Sequence, residues 1–151
     1  MGLLDWLHRA EKAEQKGERH QVPEFDGHDE VFHGLNMRLA IEAHLKWKER
    51  LENTLAGSSG EHLEVGVVAA DDRCTLGQWL HGEAKRQFAQ HPEYASLAKA
   101  HSEFHLLAGD ILCDAHDGRA AEAREKLRTS FRQKSDRVQL ALVRLYSRAR
   151  V

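Results

Sequence analysis

Apolar residues recur every three or four positions through most of this chain, and three histidines stand on those stripes where an aliphatic side chain would be expected. Met37, Ile41, His44, Leu51 and Leu55 share one face of a first segment. Tyr94, Leu97, His101, Phe104, His105, Ala108, Ile111 and Leu112 share a face of a second, and Leu127, Phe131, Val138, Leu142 and Leu145 of a third. This spacing, with only two prolines in 151 residues, restricts the chain to helices packed on helices. A hydrophobic content of 41% is enough for one core, and no break in composition divides the chain into two such cores.

Punctuation along the chain gives the organisation. Leu3, Leu4, Trp6 and Leu7 open a short amphipathic stretch that runs to about Lys16, and Gly17 to Gly27, with Val22-Pro23, reads as a linker. We therefore divide the chain into an N-terminal amphipathic segment and linker, 1–27, and a helical domain, 28–151. The first long helix begins at about His28 or Leu35 and ends at Gly57-Ser58-Ser59-Gly60. Residues 61–74, with Val65, Val67 and Val68, fit either a buried helical turn or an extended piece. In Cys74-Thr75-Leu76-Gly77-Gln78, Thr75 and Gln78 have the spacing of a capping box, which places Cys74 just outside a helix N-terminus. His91-Pro92 ends that helix, another runs from about Glu93 to His116 before Asp117-Gly118, and a last one from about Arg119 to Arg148. The expected fold is all-α: an antiparallel four-helix bundle with a short additional helix and an N-terminal extension.

Charge excludes some functions. Residues 118–151 carry ten Lys/Arg against three Asp/Glu, within a chain of net charge −2. Phe131 and Tyr146 belong to the apolar stripe of that basic segment and do not interleave with its cations as nucleic-acid binding would require, so the basic helix is expected to pack beside acidic ones. No apolar run approaches the roughly 20 residues that span a bilayer, and the N-terminus lacks the features of a signal peptide, so the expected location is the cytoplasm. In a reducing compartment a Cys74–Cys113 disulfide is the weaker reading, and Cys113 reads as a small core residue. The stretch 1–16 suits either docking on the bundle or peripheral contact with a membrane or partner.

A pair such as His101 and His105, four apart on a helix, presents both rings on one face, but in a chain with 11 histidines the spacing alone is weak. Position strengthens it: both replace aliphatic residues that must face the core, where an unpaired imidazole is costly. His44 repeats the pattern on another helix beside Ile41, Trp47 and Leu51. Cys74 supplies a thiolate, which a helix N-terminus favours. Three imidazoles and one thiolate complete a tetrahedral zinc set. The other eight histidines lie in loops, at ends or in polar surroundings and read as surface residues.

His44-Leu45-Lys46-Trp47-Lys48-Glu49-Arg50-Leu51, Cys74-Thr75-Leu76-Gly77-Gln78-Trp79-Leu80 and His101-Ser102-Glu103-Phe104-His105 together resemble the bacterial chemoreceptor zinc-binding domain family over roughly residues 30–146. The resemblance implies one Zn2+ per chain held by His44, Cys74, His101 and His105, a helical bundle and a homodimer. It also implies service to a signalling partner, a chemotaxis receptor or a diguanylate cyclase. No such domain accompanies the match, so the chain reads as a free-standing member whose output passes to a separate protein.

Four protein ligands leave no open position for an activated water, so no enzyme activity is expected. Two signals fit the same site: zinc availability, with binding ordering the helices, or an oxidant such as hypochlorous acid, which the family resemblance implies, with Cys74 as the redox-responsive ligand. The alternative is a structural zinc in a dimerising scaffold. A hemerythrin-like di-iron bundle fits poorly, because it needs carboxylates at set spacings and does not suit a cysteine.

Overall fold

The computed structural model describes residues 2–25, 30–58 and 60–149, and these are mostly helical. The sequence boundary at 27/28 and the alternative helix start at His28 lie outside the described residues, as does Ser59. Helix α1 spans Leu3–Gln15, α2 Met37–Ala56, α3 Val65–Ala69, α4 Thr75–His81, α5 Glu83–Phe88, α6 Pro92–His116, α7 Ala120–Arg128 and α8 Ser130–Ala149. The two-residue strands β1 Val31–Phe32 and β2 Leu35–Asn36 pair antiparallel, Val31 opposite Asn36 and Phe32 opposite Leu35.

Helix α6 is the hub. It packs most extensively on α8, then on α3 and α7, with α2 against both α6 and α7. Its stripe is as the periodicity requires: Leu97, Phe104, Ala108, Ile111 and Leu112 are buried, and Phe104 meets Phe131 of α8 with ring centroids 4.9 Å apart. At the far end of α6, Asp114 is only 6% exposed and accepts from Lys126 at 2.7 Å and Arg119 at 2.9 Å. This network, which holds its carboxyl below the usual carboxylate range, ties α6 to α7. The basic C-terminal segment thus meets acidic partners on neighbouring elements, as the charge distribution suggests; Lys134 to Glu103 and Arg144 to Glu11 are further examples.

The structure corrects several element boundaries. The first long helix starts at Met37, because residues 31–36 form a hairpin instead. His33 and Gly34 both take positive φ, 46° and 85°, the two-residue turn whose twist suits a hairpin. Asn36 then caps α2 by accepting from the Leu39 N–H at 3.0 Å, and Gly57 closes it in the left-handed conformation. The helix expected after Cys74 is broken at Gly82, and Tyr94 donates to the carbonyl of Leu80 at 2.6 Å beside the break. The last expected helix is two, interrupted at Thr129, whose hydroxyl donates to Glu125 O at 2.8 Å. The undecided segment contains α3, a short turn of helix with Val68 buried and Val67 exposed. Cys74 and Cys113 are both free thiols.

Helix α1 is docked on α8. Leu3, Trp6, Leu7 and Ala10 are buried, the Trp6 indole N–H donates to Gln21 O at 2.6 Å, and Arg144 reaches Glu11 at 2.9 Å. Among the described residues no helix is long and apolar enough to cross a membrane. Truncating a buried indole removes both its packing and its hydrogen bond, so Trp6→Ala is expected to cost about 3–5 kcal/mol. A chemical-denaturation midpoint equal to wild type would show that α1 is not part of the cooperative core.

Candidate metal centre

The four residues singled out by sequence converge, although they come from three separate helices. His44 projects from α2, His101 and His105 from successive turns of α6, and Cys74 is the N-cap of α4. Their donor atoms all lie within 4.8 Å of one another. Cys74 Sγ is 3.7 Å from His44 Nε2, 3.2 Å from His101 Nε2 and 3.6 Å from His105 Nε2, and the Nε2 atoms of His44 and His101 are 3.1 Å apart. A tetrahedral zinc with Zn–N of about 2.0–2.1 Å and Zn–S of about 2.3 Å sets N···N at about 3.4 Å and S···N at about 3.6 Å. These four separations are close to those such an ion requires. Three imidazoles and a thiolate also suit zinc chemically, whereas an oxygen-seeking cation such as calcium finds no carboxylate in the set.

Backbone groups aim two of the rings. His44 Nδ1 donates to Ala40 O at 2.7 Å and His105 Nδ1 donates to Val68 O at 2.9 Å, which turns each Nε2 toward the centre. His101 Nδ1 is buried without a partner, so that ring is oriented by packing, edge-on to His44 and His105 with centroids at 5.0 and 4.6 Å.

Burial decides the protonation states. His44, His101 and His105 are buried, and loss of hydration lowers all three pKa values, that of His44 to about 4. They therefore stand neutral at pH 7, as ligands must. Cys74 behaves differently from the expectation drawn from its helix position. Burial pushes its thiol up, and the N–H of Gly77, donating to Sγ at 3.3 Å, offsets this only in part. Without a metal the residue is a thiol. Coordination is what makes it a thiolate. The capping-box reading is also corrected: Cys74 itself occupies the cap, and Thr75 is the first helical residue.

Residues that sequence reasoning missed are glycines and carbonyls. A Cβ on Gly77 would stand 1.8 Å from Asp71 O, so the loop before α4 lies against the turn that carries Cys74. A Cβ on Gly109 would meet Ala69 Cβ at 2.7 Å, so α3, the source of the carbonyl that holds His105, rests directly on the α6 backbone. Gly109 is four residues after His105, a small residue one turn beyond a ligand, and that spacing was the available signal. The histidines read as surface residues stay outside the cluster: His8, His33, His62, His81 and His116 are exposed, His20 and His91 are half-buried, and His28 lies outside the described residues.

Two outcomes are expected. Gly77→Ala places a methyl against backbone that cannot rotate away, and should destabilise the protein by about 1–3 kcal/mol in thermal or chemical unfolding; a wild-type midpoint would contradict the close approach. The pH dependence of the metal-free protein follows from the histidines. Their folded pKa values lie below the unfolded value of about 6.5, so the unfolded chain binds more protons, and stability falls as pH drops from about 6.5 toward 4. Calorimetry of metal-free protein at pH 7 and pH 5 should give the lower midpoint at pH 5, and equal midpoints would mean that the imidazoles protonate without penalty.

No curated protein and no solved structure matches the chain. The model of the chemoreceptor zinc-binding domain family does match, over residues 44–112, an interval that begins at His44 and contains Cys74, His101 and His105. With the four donors of that interval gathered within 4.8 Å of one another, residues 44–112 of the chain belong to the chemoreceptor zinc-binding domain family.

Proposed function

We propose that this protein is a sensory regulator, not an enzyme, that binds one Zn2+ per chain through His44, Cys74, His101 and His105. The observation that carries the reading is the unequal burial of the ligands: three imidazoles are enclosed, while Cys74 is half-buried beside an open cavity. Zinc, when bound, holds the Cys74 sulfur as a thiolate and draws α2, α4 and α6 onto one point. The histidines anchor the site. Cys74 is the ligand that responds.

Two inputs act through it. Falling zinc frees α4 from α2 and α6. An oxidant does the same at constant zinc: the Cys74 thiolate attacks the chlorine of hypochlorous acid and releases hydroxide, and water then converts the sulfenyl chloride to a sulfenic acid, chloride and a proton. Sulfur has lost two electrons to chlorine and become a poorer ligand. Displacement of Cys74 removes the cap of α4, and α4 is tied to the hairpin by the Trp79 indole, which donates to His33 O at 2.9 Å. In this reading α2, α6, α7 and α8 act as a four-helix bundle that the site biases. The chain pairs with a second copy, for which exposed Leu39 and Leu106 on α2 and α6 offer apolar surface. It signals from the cytoplasm to a separate chemotaxis receptor or diguanylate cyclase. We assign no nucleic-acid role, and peripheral membrane contact through residues 1–16 is weakly supported because the apolar face of α1 is covered.

A structural zinc in a dimerising scaffold is the second reading, favoured by the enclosure of three ligands and the direct hydrogen bonds that aim His44 and His105. Metal analysis before and after a near-stoichiometric dose of hypochlorous acid separates the two. Sensing predicts one zinc per chain, released on oxidation in wild type, and weakened zinc retention in Cys74→Ser. One zinc that survives the oxidant, with bundle stability lost only on chelation, supports the scaffold. Absence of zinc would sink both.

A further inference from the structure

A cavity of about 560 Å³ opens beside the metal centre and has Cys74 and His105 in its lining. One wall is a three-part stack. The Arg50 guanidinium lies over the Trp47 ring at 3.9 Å, and the same guanidinium grips Glu61 with Nε at 3.1 Å and Nη2 at 2.8 Å. Glu61 belongs to the segment before α3, where Leu63 is buried and where His62 and Glu64 also line the cavity. Residues 61–64 are tied to α2 by a forked ion pair at an exposed edge, beside the buried Leu63, and lead directly into the helix whose Val68 carbonyl holds His105.

The other ligands offer no comparable approach: His44 and His101 are 3% and 0% exposed and do not line this cavity. A space of this size admits a hydrated ion or a small chelating or electrophilic molecule, and its lining includes the one sulfur of the site. We propose that this cavity is the exchange port through which zinc, and small thiol-reactive or metal-chelating molecules, reach Cys74 and His105. Residues 61–64, latched by Arg50–Glu61 on Trp47, are its gate. For zinc, this rests on the four-ligand reading above; for access to the sulfur, it rests on the cavity alone.

The latch is a surface ion pair, so it governs rate more than equilibrium. Such a pair supports an effect of up to about fivefold. Three proteins test this in a Cys113→Ser background, which leaves Cys74 as the sole thiol: the parent, Glu61→Gln to release the latch, and Ala43→Trp to fill the cavity from its α2 wall. Two rates are read: zinc release to excess 4-(2-pyridylazo)resorcinol, and alkylation of the metal-free proteins by N-ethylmaleimide. With one zinc per chain and unchanged circular dichroism in all three, Glu61→Gln should raise both rates by about threefold to fivefold, and Ala43→Trp should lower both by at least as much. Equal rates across the three, or a response to Glu61→Gln with none to Ala43→Trp, would overturn the port. If the parent holds no zinc, the zinc reading fails separately, and the alkylation rates alone decide whether the cavity leads to the sulfur.

Discussion

An imidazole buried without a partner is a liability in a helical core, and this chain buries three of them around one sulfur. The surrounding architecture answers that liability. Two of the rings use one nitrogen to reach a backbone carbonyl, which leaves the other nitrogen facing inward. The third has a buried nitrogen with no partner among the described residues. Four donors all within 4.8 Å of one another, with no shared proton able to satisfy them all, form an arrangement that a tetrahedral cation would complete. An ion held by these donors would tie together α2, α4 and α6, no two of which are consecutive in the chain.

The short elements matter more than their length suggests. Helix α3 is five residues long, yet it supplies the carbonyl that fixes His105 and lies so close to α6 that only a glycine fits beneath it at 109. Helix α4 presents Cys74 at its first turn and rests its Asp71 loop on Gly77. Its Trp79 enters an aromatic cluster with Phe32 and Phe88, and Phe32 meets Tyr146 of α8 at 5.4 Å. A path of contacts thus runs from the sulfur to the hairpin and to the last helix, on which the N-terminal helix is docked.

Cys74 shows how two local effects compete. Its place at a helix N-terminus argues for an acidic thiol, and its burial argues for the reverse. Burial wins in the metal-free chain, since the backbone N–H groups around the sulfur, that of Gly77 at 3.3 Å among them, do not replace the hydration lost. Sulfur chemistry at this position therefore depends on the metal and on access, both of which the neighbouring cavity bears upon.

Much was legible before any coordinates. The 3.6-residue stripes determined the helical class and the inward direction of His44, His101 and His105, because periodicity reports which side of a helix must be buried. The histidine spacing on α6 and the cysteine before a turn of helix named the donors. Sequence did not determine the hairpin at 31–36, the break at Gly82 or the docking of α1. Each of these depends on distant groups: the Trp79 indole reaching His33 O, the Tyr94 hydroxyl reaching Leu80 O, the core of α8 receiving Trp6. Nor did sequence determine that Cys74 meets three histidines, since 27 to 31 residues separate it from each of them. Local pattern decides which face of a helix is buried; only packing between helices decides which faces meet, and the site exists at such a meeting.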